Sequence, residues 1–316
     1  LSVQESIAFS TNCDALNFFS HWRDINMSAL PQLMSPRQVA QAAQIACLLE
    51  VSAPKPGNVN RYADFEDARF EDFLLSAVAI GPAIEMAATV PVGQAILQAV
   101  RDTRSLVNTN TNLGAALLLV PLAKAYYRAG WNLREGLRVV LDALTVEDAR
   151  QVYVAIRKAQ AGGLGRVEQE DVSQEPTLSL QQVMALARER DTIAREYCTG
   201  YATTFEIGLP ALMAARRSGA DLPSAIVQTF VTLLAQVPDT LIQRKRGVEM
   251  AHLVSNRARR VLELGGMTTE VGRAALRRLD NELRDARHTL NPGTTADLTA
   301  TVVFLALLAE GFAFLC

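Results

Sequence analysis

Apolar residues recur with helical spacing over most of the chain. In "SPRQVAQAAQIACLLE", Val39, Ala42, Ala43, Ala46 and Leu49 form a stripe at i, i+3, i+4 and i+7, Ser35 stands at a capping position and Pro36 at the first helical one. Comparable runs cover 71–88, 92–105, 111–129, 133–143, 146–160, 179–198, 201–218, 222–235, 239–263, 268–287 and 294–315. Asn132, Thr145 and Ser179 offer caps, while Gly130, Gly162, Gly219, Gly265 and Gly311 mark ends or breaks. Short alternating runs of the β type are absent and alanine is abundant. The pattern predicts an all-α fold, a single multi-helix globular domain of about ten to twelve helices spanning 35–316. No fixed period recurs, which weighs against a solenoid.

Three stretches depart from that pattern. Residues 1–34 lack both a cationic start and an uninterrupted apolar core, so they do not read as a secretory signal. They are expected to form a poorly ordered extension, and Met27 raises the possibility that 1–26 are not native to the chain. The segment 161–177, "AGGLGRVEQEDVSQEPT", is either a boundary between two helical halves or a long loop over a site, and the second reading is favoured. At 298–316, Thr299, Thr301 and Glu310 interrupt a run close to membrane-spanning length, so a buried C-terminal helix is expected.

Composition narrows the function. With 49% hydrophobic residues in 316, a large core can be buried. A net charge of −2, with no basic tail or one-signed block, points away from nucleic acid and from anionic membranes. Four scattered cysteines, with no C-x-x-C pair, argue against structural zinc and for a reducing compartment, so a cytoplasmic protein is expected.

Four polar interruptions carry the candidate chemistry. In "EVSAPKPGNVNR", Pro54 and Pro56 stiffen the chain around Lys55, one of only four lysines, and Gly57 can turn. A solvated lysine at a helix end and a functional one are equally open. In "SLVNTNTNLGAALLLV", Asn108, Thr109, Asn110, Thr111 and Asn112 exceed what one cap needs and suit a phosphate or ribose cradle. In "VPDTLIQRKRG", Asp239 takes a cap position, with Arg244, Lys245 and Arg246 following. A carboxylate for a divalent cation and bases for phosphate oxygens would suit a metal–phosphate ligand, although an N-cap with a solvated basic patch accounts for the same residues. In "LNPGTTADL", Asn291, Pro292 and Gly293 turn into a helix whose start welcomes anions. Thr294 and Asp297 have capping-box spacing, and Asp297 stands where a cation could be held.

Taken in order, "EVSAPKPGNVNR", "NTNLG", "DTLIQRKRG", "LDNELR" and "NPGTTADL" resemble the triphosphoribosyl-dephospho-CoA synthase family, from about Ala40 to Leu308. The resemblance implies an all-helical transferase that displaces adenine from ATP and joins ribose C1′ to a hydroxyl of dephospho-CoA, keeping the triphosphate. It implies Mg²⁺, with Glu50, Asp239 and Asp297 as catalytic and metal-binding acids. It also implies Lys55, Gly57, Asn58, Arg61, Asn108, Asn110, Thr111, Arg244, Lys245, Arg246, Asn291, Gly293 and Thr294 as substrate- and phosphate-binding residues. Glu50, in the last turn of a helix and facing the negative end of its dipole, requires a partner, either Lys55 or a cation. Two departures stand out. Asn112 and Leu113 replace the family's usual histidine and lysine, and Leu241 replaces its asparagine. They leave room for a different acceptor, in a one-carbon-carrier cofactor pathway, or for a helical nucleotide-binding protein without catalysis.

Overall fold

The fold is organised around its last long helix. In a computed structural model, which describes residues 33–160, 165 and 167–316, helix α14 (Gly293–Glu310) buries thirteen of its eighteen residues, from Thr294 to Leu308. It is apolar all round because it has protein on every side. Helices α1 (Pro36–Ser52), α4 (Leu113–Ala129) and α10 (Leu222–Gln236) pack against it. Among the described residues α14 and the turn after it, Gly293–Leu315, form the one continuous helical stretch long and apolar enough to cross a membrane, and 67% of its most apolar window is buried inside the protein. The expected buried C-terminal helix is thus observed.

The other helices form an outer shell. Helices α2 (Phe70–Met86), α3 (Val92–Leu106) and α6 (Val146–Ala159) lie in succession beyond α1, and α5 (Leu133–Asp142) lies on α4. Next come α7 (Leu180–Ala187), α8 (Thr192–Thr199), α9 (Leu209–Arg217), α11 (Thr240–Arg246), α12 (Val248–Glu263) and α13 (Glu270–Leu283). The described residues contain fourteen α-helices and no strand, and Met34–Cys316 forms one compact unit. The expectation for 1–34 falls almost wholly outside the described residues.

Local signals set most helix ends as expected. Ser35 and Gln38 close a capping box on α1, as do Thr145 and Asp148 on α6 and Ser179 and Gln182 on α7. Three predicted helices are each divided. Gly247, at φ 89°, separates α11 from α12 within 239–263, a backbone state that side chains disfavour. Asp191 caps a new helix within 179–198. Within 201–218, a π-helical turn, Thr203–Gly208, precedes α9. Its start is held by the buried Glu196 carboxylate, which accepts from Thr203 N–H (2.9 Å), Thr204 N–H (2.9 Å) and the Thr204 hydroxyl (2.7 Å). Burial raises the Glu196 pKa, and these bonds oppose the rise.

Glu196→Ala leaves two buried N–H groups and a hydroxyl unpaired. It should lower stability by about 2–4 kcal/mol in a urea titration, while Glu196→Gln, which keeps an acceptor, should cost less.

Candidate active site

The polar interruptions converge where four helix ends meet: the last turn of α1 and the starts of α4, α11 and α14. A cavity of about 540 Å³ opens there. Its lining includes Glu50, Asn58, Asn110, Thr111, Arg244, Asn291, Gly293, Thr294 and Asp297. Val167, the stretch from Gln169 to Val172 and apolar side chains of α7 also line it. Tyr153 donates to the Glu170 carbonyl (2.6 Å) and Arg157 to that of Val172 (2.6 Å), which ties this part of the 161–177 segment to α6; residues 161–164 and 166 of that segment lie outside the described ones.

The electrostatics are those of buried carboxylates at close quarters. Asp297 makes no capping box with Thr294; α14 starts without a side-chain cap. The carboxylate instead lies over Gly114, where any Cβ would overlap it, and the Ala115 N–H at the start of α4 favours its ionised form. Burial pushes the Asp297 carboxyl well above the usual carboxylate range, and the charges of Glu50 and Asp239 push the same way. Glu50 is also raised by burial, with Lys55 opposing. The Cys47 thiol, in the cavity wall, is raised chiefly by burial and then by Glu50 and Asp297.

Lys55 is the partner that Glu50 requires. Fully buried, its ammonium lies 2.9 Å from Glu50 Oε1 and donates to the Glu50 carbonyl (2.5 Å). It thereby closes the C-terminus of α1 over its own carboxylate, and it lines no part of the cavity. Gly57, at φ 75°, turns the chain behind it and donates to Asp280 Oδ1 (2.8 Å).

Asp239 is committed to structure. Its Oδ1 accepts from Leu241 N–H (2.9 Å) and Ile242 N–H (3.1 Å), and its Oδ2 from Thr295 N–H (2.7 Å) and the Thr295 hydroxyl (2.8 Å). One carboxylate thus ties α11 to α14, with every acceptor site occupied. Burial raises its pKa, opposed by these bonds.

Other expected ligands stand apart from the cavity. Arg61 donates to the Ser52 carbonyl (3.1 Å), and Asn108 is exposed, its carbonyl bonded to Arg104. Lys245 donates to the His288 carbonyl (3.2 Å) and Arg246 to Thr289 Oγ1 (3.0 Å), so both pin the turn before α14. Arg244 does reach the cavity, held by Asp191 Oδ2 at 2.6 Å. Asn110 Oδ1 accepts from Leu113 N–H (3.3 Å) and Thr111 bonds Ser76, whereas Asn112 turns inward to Thr103 Oγ1 (2.6 Å).

A metal was expected on Glu50, Asp239 and Asp297. Asp239 has no free lone pair, and among the described residues no group of three or more His, Cys, Asp or Glu is arranged to hold an ion. Glu50 and Asp297 remain. These two carboxylates, Asp297 raised chiefly by burial and then by the charges of Glu50 and Asp239, are oxygen donors of the kind Mg²⁺ takes, and the remaining ligands would have to come from a substrate or water.

Comparison with known proteins assigns the chain. The sequence model of the ATP:dephospho-CoA triphosphoribosyl transferase family matches residues 36–314. The chain belongs to this family. A Klebsiella pneumoniae member, 2-(5″-triphosphoribosyl)-3′-dephosphocoenzyme-A synthase, is 28% identical over 89% of this chain and 94% of its own. A Stutzerimonas stutzeri (strain A1501) protein provisionally given the same name is 28% identical over 88% of this chain and 95% of its own. The crystal structure of an Archaeoglobus fulgidus protein, provisionally named triphosphoribosyl-dephospho-CoA synthase, superposes with a TM-score of 0.59. It is 30% identical over 75% of this chain and 99% of that one. The protein is therefore a transferase of this all-helical family.

Sequence reasoning missed Asp191, Ser76, Cys47 and the apolar wall of α7, none of which carries a motif. Asp280 and Arg284 were visible within "LDNELR" but had no assigned task.

Two outcomes follow from the buried charges. Lys55→Met strands the Glu50 carboxylate and should cost about 3–5 kcal/mol in chemical denaturation, with Glu50→Gln added to it recovering part of the loss. Asp297 binds its proton more tightly folded than unfolded, so its contribution is fully present below the unfolded carboxylate pKa and is lost as pH rises through the folded value. The melting temperature of Asp297→Asn relative to the parent should accordingly rise between pH 5 and pH 8.

Proposed function

We propose that the protein moves the triphosphoribosyl group of ATP to a hydroxyl of dephospho-CoA or a related cofactor precursor, releasing adenine, with Mg²⁺ bound to the nucleotide. The observation that carries this reading is the pairing of two buried carboxylates in different environments, Glu50 against Lys55 and Asp297 against a helix start, in one cavity of a chain from this family.

Glycosyl transfer needs little else. The C1′–N bond breaks with its electrons going to adenine, and the acceptor oxygen forms the new bond to C1′. Glu50, raised by burial with Lys55 opposing, faces the positive charge developing on the ribose and takes the acceptor's proton, which passes on through solvent so that adenine, which picks up one proton at the nitrogen freed from C1′, leaves neutral. Asp297, with Glu50 beside it, would hold the cation, and that cation would supply charge neutralisation for the triphosphate. Arg244, fixed by Asp191, is pre-positioned for a phosphate oxygen. Asp239 and Lys55 act by holding the helix ends in place.

A second acceptor class has one specific observation in its favour. Val183, Met184, Leu186 and Ala187 make part of the cavity wall apolar, which suits an acceptor with an uncharged body.

Purified protein given ATP, Mg²⁺ and dephospho-CoA should liberate free adenine; ADP or AMP in its place rejects the chemistry. Glu50→Gln should lower kcat by about 10²–10⁴-fold. Because a proton competes with the cation for Asp297, Mg²⁺-dependent ATP affinity measured by calorimetry should weaken as pH falls, and Asp297→Asn should make that dependence shallower.

A further inference from the structure

Asn58 is almost fully accounted for by protein partners. Its N–H donates to the Lys55 carbonyl (3.3 Å), and its own carbonyl accepts from Arg284 (2.8 Å) and Asn60 Nδ2 (3.2 Å). Its side-chain amide donates to Asn291 Oδ1 (2.6 Å). Only Oδ1 is left over: buried, in a residue 5% exposed that lines the cavity, it has no hydrogen-bond partner among the described residues. A buried acceptor without a donor costs free energy, and such an atom in a binding cavity has a reason to be there.

The turn that carries Asn58 is held rigidly. Gly57 N–H is fixed on Asp280, a Cβ at Gly57 would meet Leu283, and Arg284 bridges Asp280 (3.0 Å) to the Asn58 carbonyl. With the backbone fixed, the Asn58 side chain is oriented by its bond to Asn291, and turning Oδ1 away would break that bond.

We propose that Asn58 Oδ1 is the acceptor for a sugar hydroxyl of a bound substrate, which makes Asn58 a specificity-determining residue of the cavity. Phosphate oxygens at neutral pH are acceptors and cannot satisfy it, so the phosphate role expected for Asn58 from sequence gives way to recognition of a donor. The neutral donors common to ATP and dephospho-CoA are the adenine amine and the ribose hydroxyls, and of the two only a hydroxyl can also accept a hydrogen bond. A site built to bond a hydroxyl rejects the analogue that lacks it far more strongly than an apolar site rejects a hydroxyl it does not need. The inference rests on the reading of the cavity as a nucleotide-dependent transferase site, and it adds the group by which the substrate is selected.

The test is calorimetric binding, in Mg²⁺, of ATP, 2′-dATP, 3′-dATP and dephospho-CoA to the parent, Asn58→Leu and Asn58→Asp, with adenine release assayed in parallel. The parent should bind ATP roughly tenfold or more tightly than one of the deoxy nucleotides. Asn58→Leu should bring that ratio to about one by weakening ATP alone, and Asn58→Asp, which keeps an acceptor, should retain part of it. If Asn58→Leu instead weakens only dephospho-CoA, the hydroxyl belongs to the acceptor's ribose and the proposal stands for that substrate. Equal affinities of the parent and Asn58→Leu for all four ligands overturn it. Discrimination that follows Asn58 without adenine release under any condition keeps the hydroxyl site and rejects the transferase chemistry. Adenine release with no effect of Asn58 does the reverse.

Discussion

The burial of negative charge where helices end is the constraint on which this structure turns. Glu50, Asp239 and Asp297 are all raised by desolvation, and each is met differently. Glu50 has a full positive charge at 2.9 Å, Asp239 has four hydrogen bonds, and Asp297 has a helix start with two carboxylates nearby. The first two arrangements hold the fold together. The third leaves an electrostatic deficit, and that deficit is what a cation on a nucleotide tail would relieve.

This division separates supporting groups from those left available. Lys55 cannot serve phosphate because the alternative for Glu50 is an unpaired buried charge. Asp239 cannot leave Thr295 without freeing two donors at the start of α14. Lys245 and Arg246 hold the 288–289 turn, as Asp280 and Arg284 hold the 57–58 turn. Of the cavity's groups, Glu50 is held by Lys55, Arg244 by Asp191 and Asn58 by the turn that Asp280 and Arg284 fix, and of these supports only Asp191 also lines the cavity. Keeping Asp297 under-compensated sacrifices some stability, as sites poised for charged ligands commonly do.

Much of this was legible beforehand. The 3.6-residue period located nearly every helix, capping residues such as Ser35, Thr145 and Ser179 set their starts, and the ordered motifs identified the family. The helix breaks at Asp191 and Gly247 were less legible, because a cap and a glycine inside a continuous apolar run are outweighed locally by the periodicity around them. Asp297 shows the limit most plainly. Its spacing from Thr294 fits a capping box, yet the side chain is drawn across to Gly114, a partner about 180 residues away whose missing Cβ provides the space.

By itself, then, the sequence determined the helical class, most element boundaries, the family and the set of polar segments that build the site, since each of these follows from local spacing or from motif order. Only the tertiary structure decided which polar groups are spent on one another and which remain for a substrate. A hydrogen bond or ion pair between remote segments leaves no periodic trace, and Lys55, Asp239 and Asn58 have the same local credentials until their partners are in place.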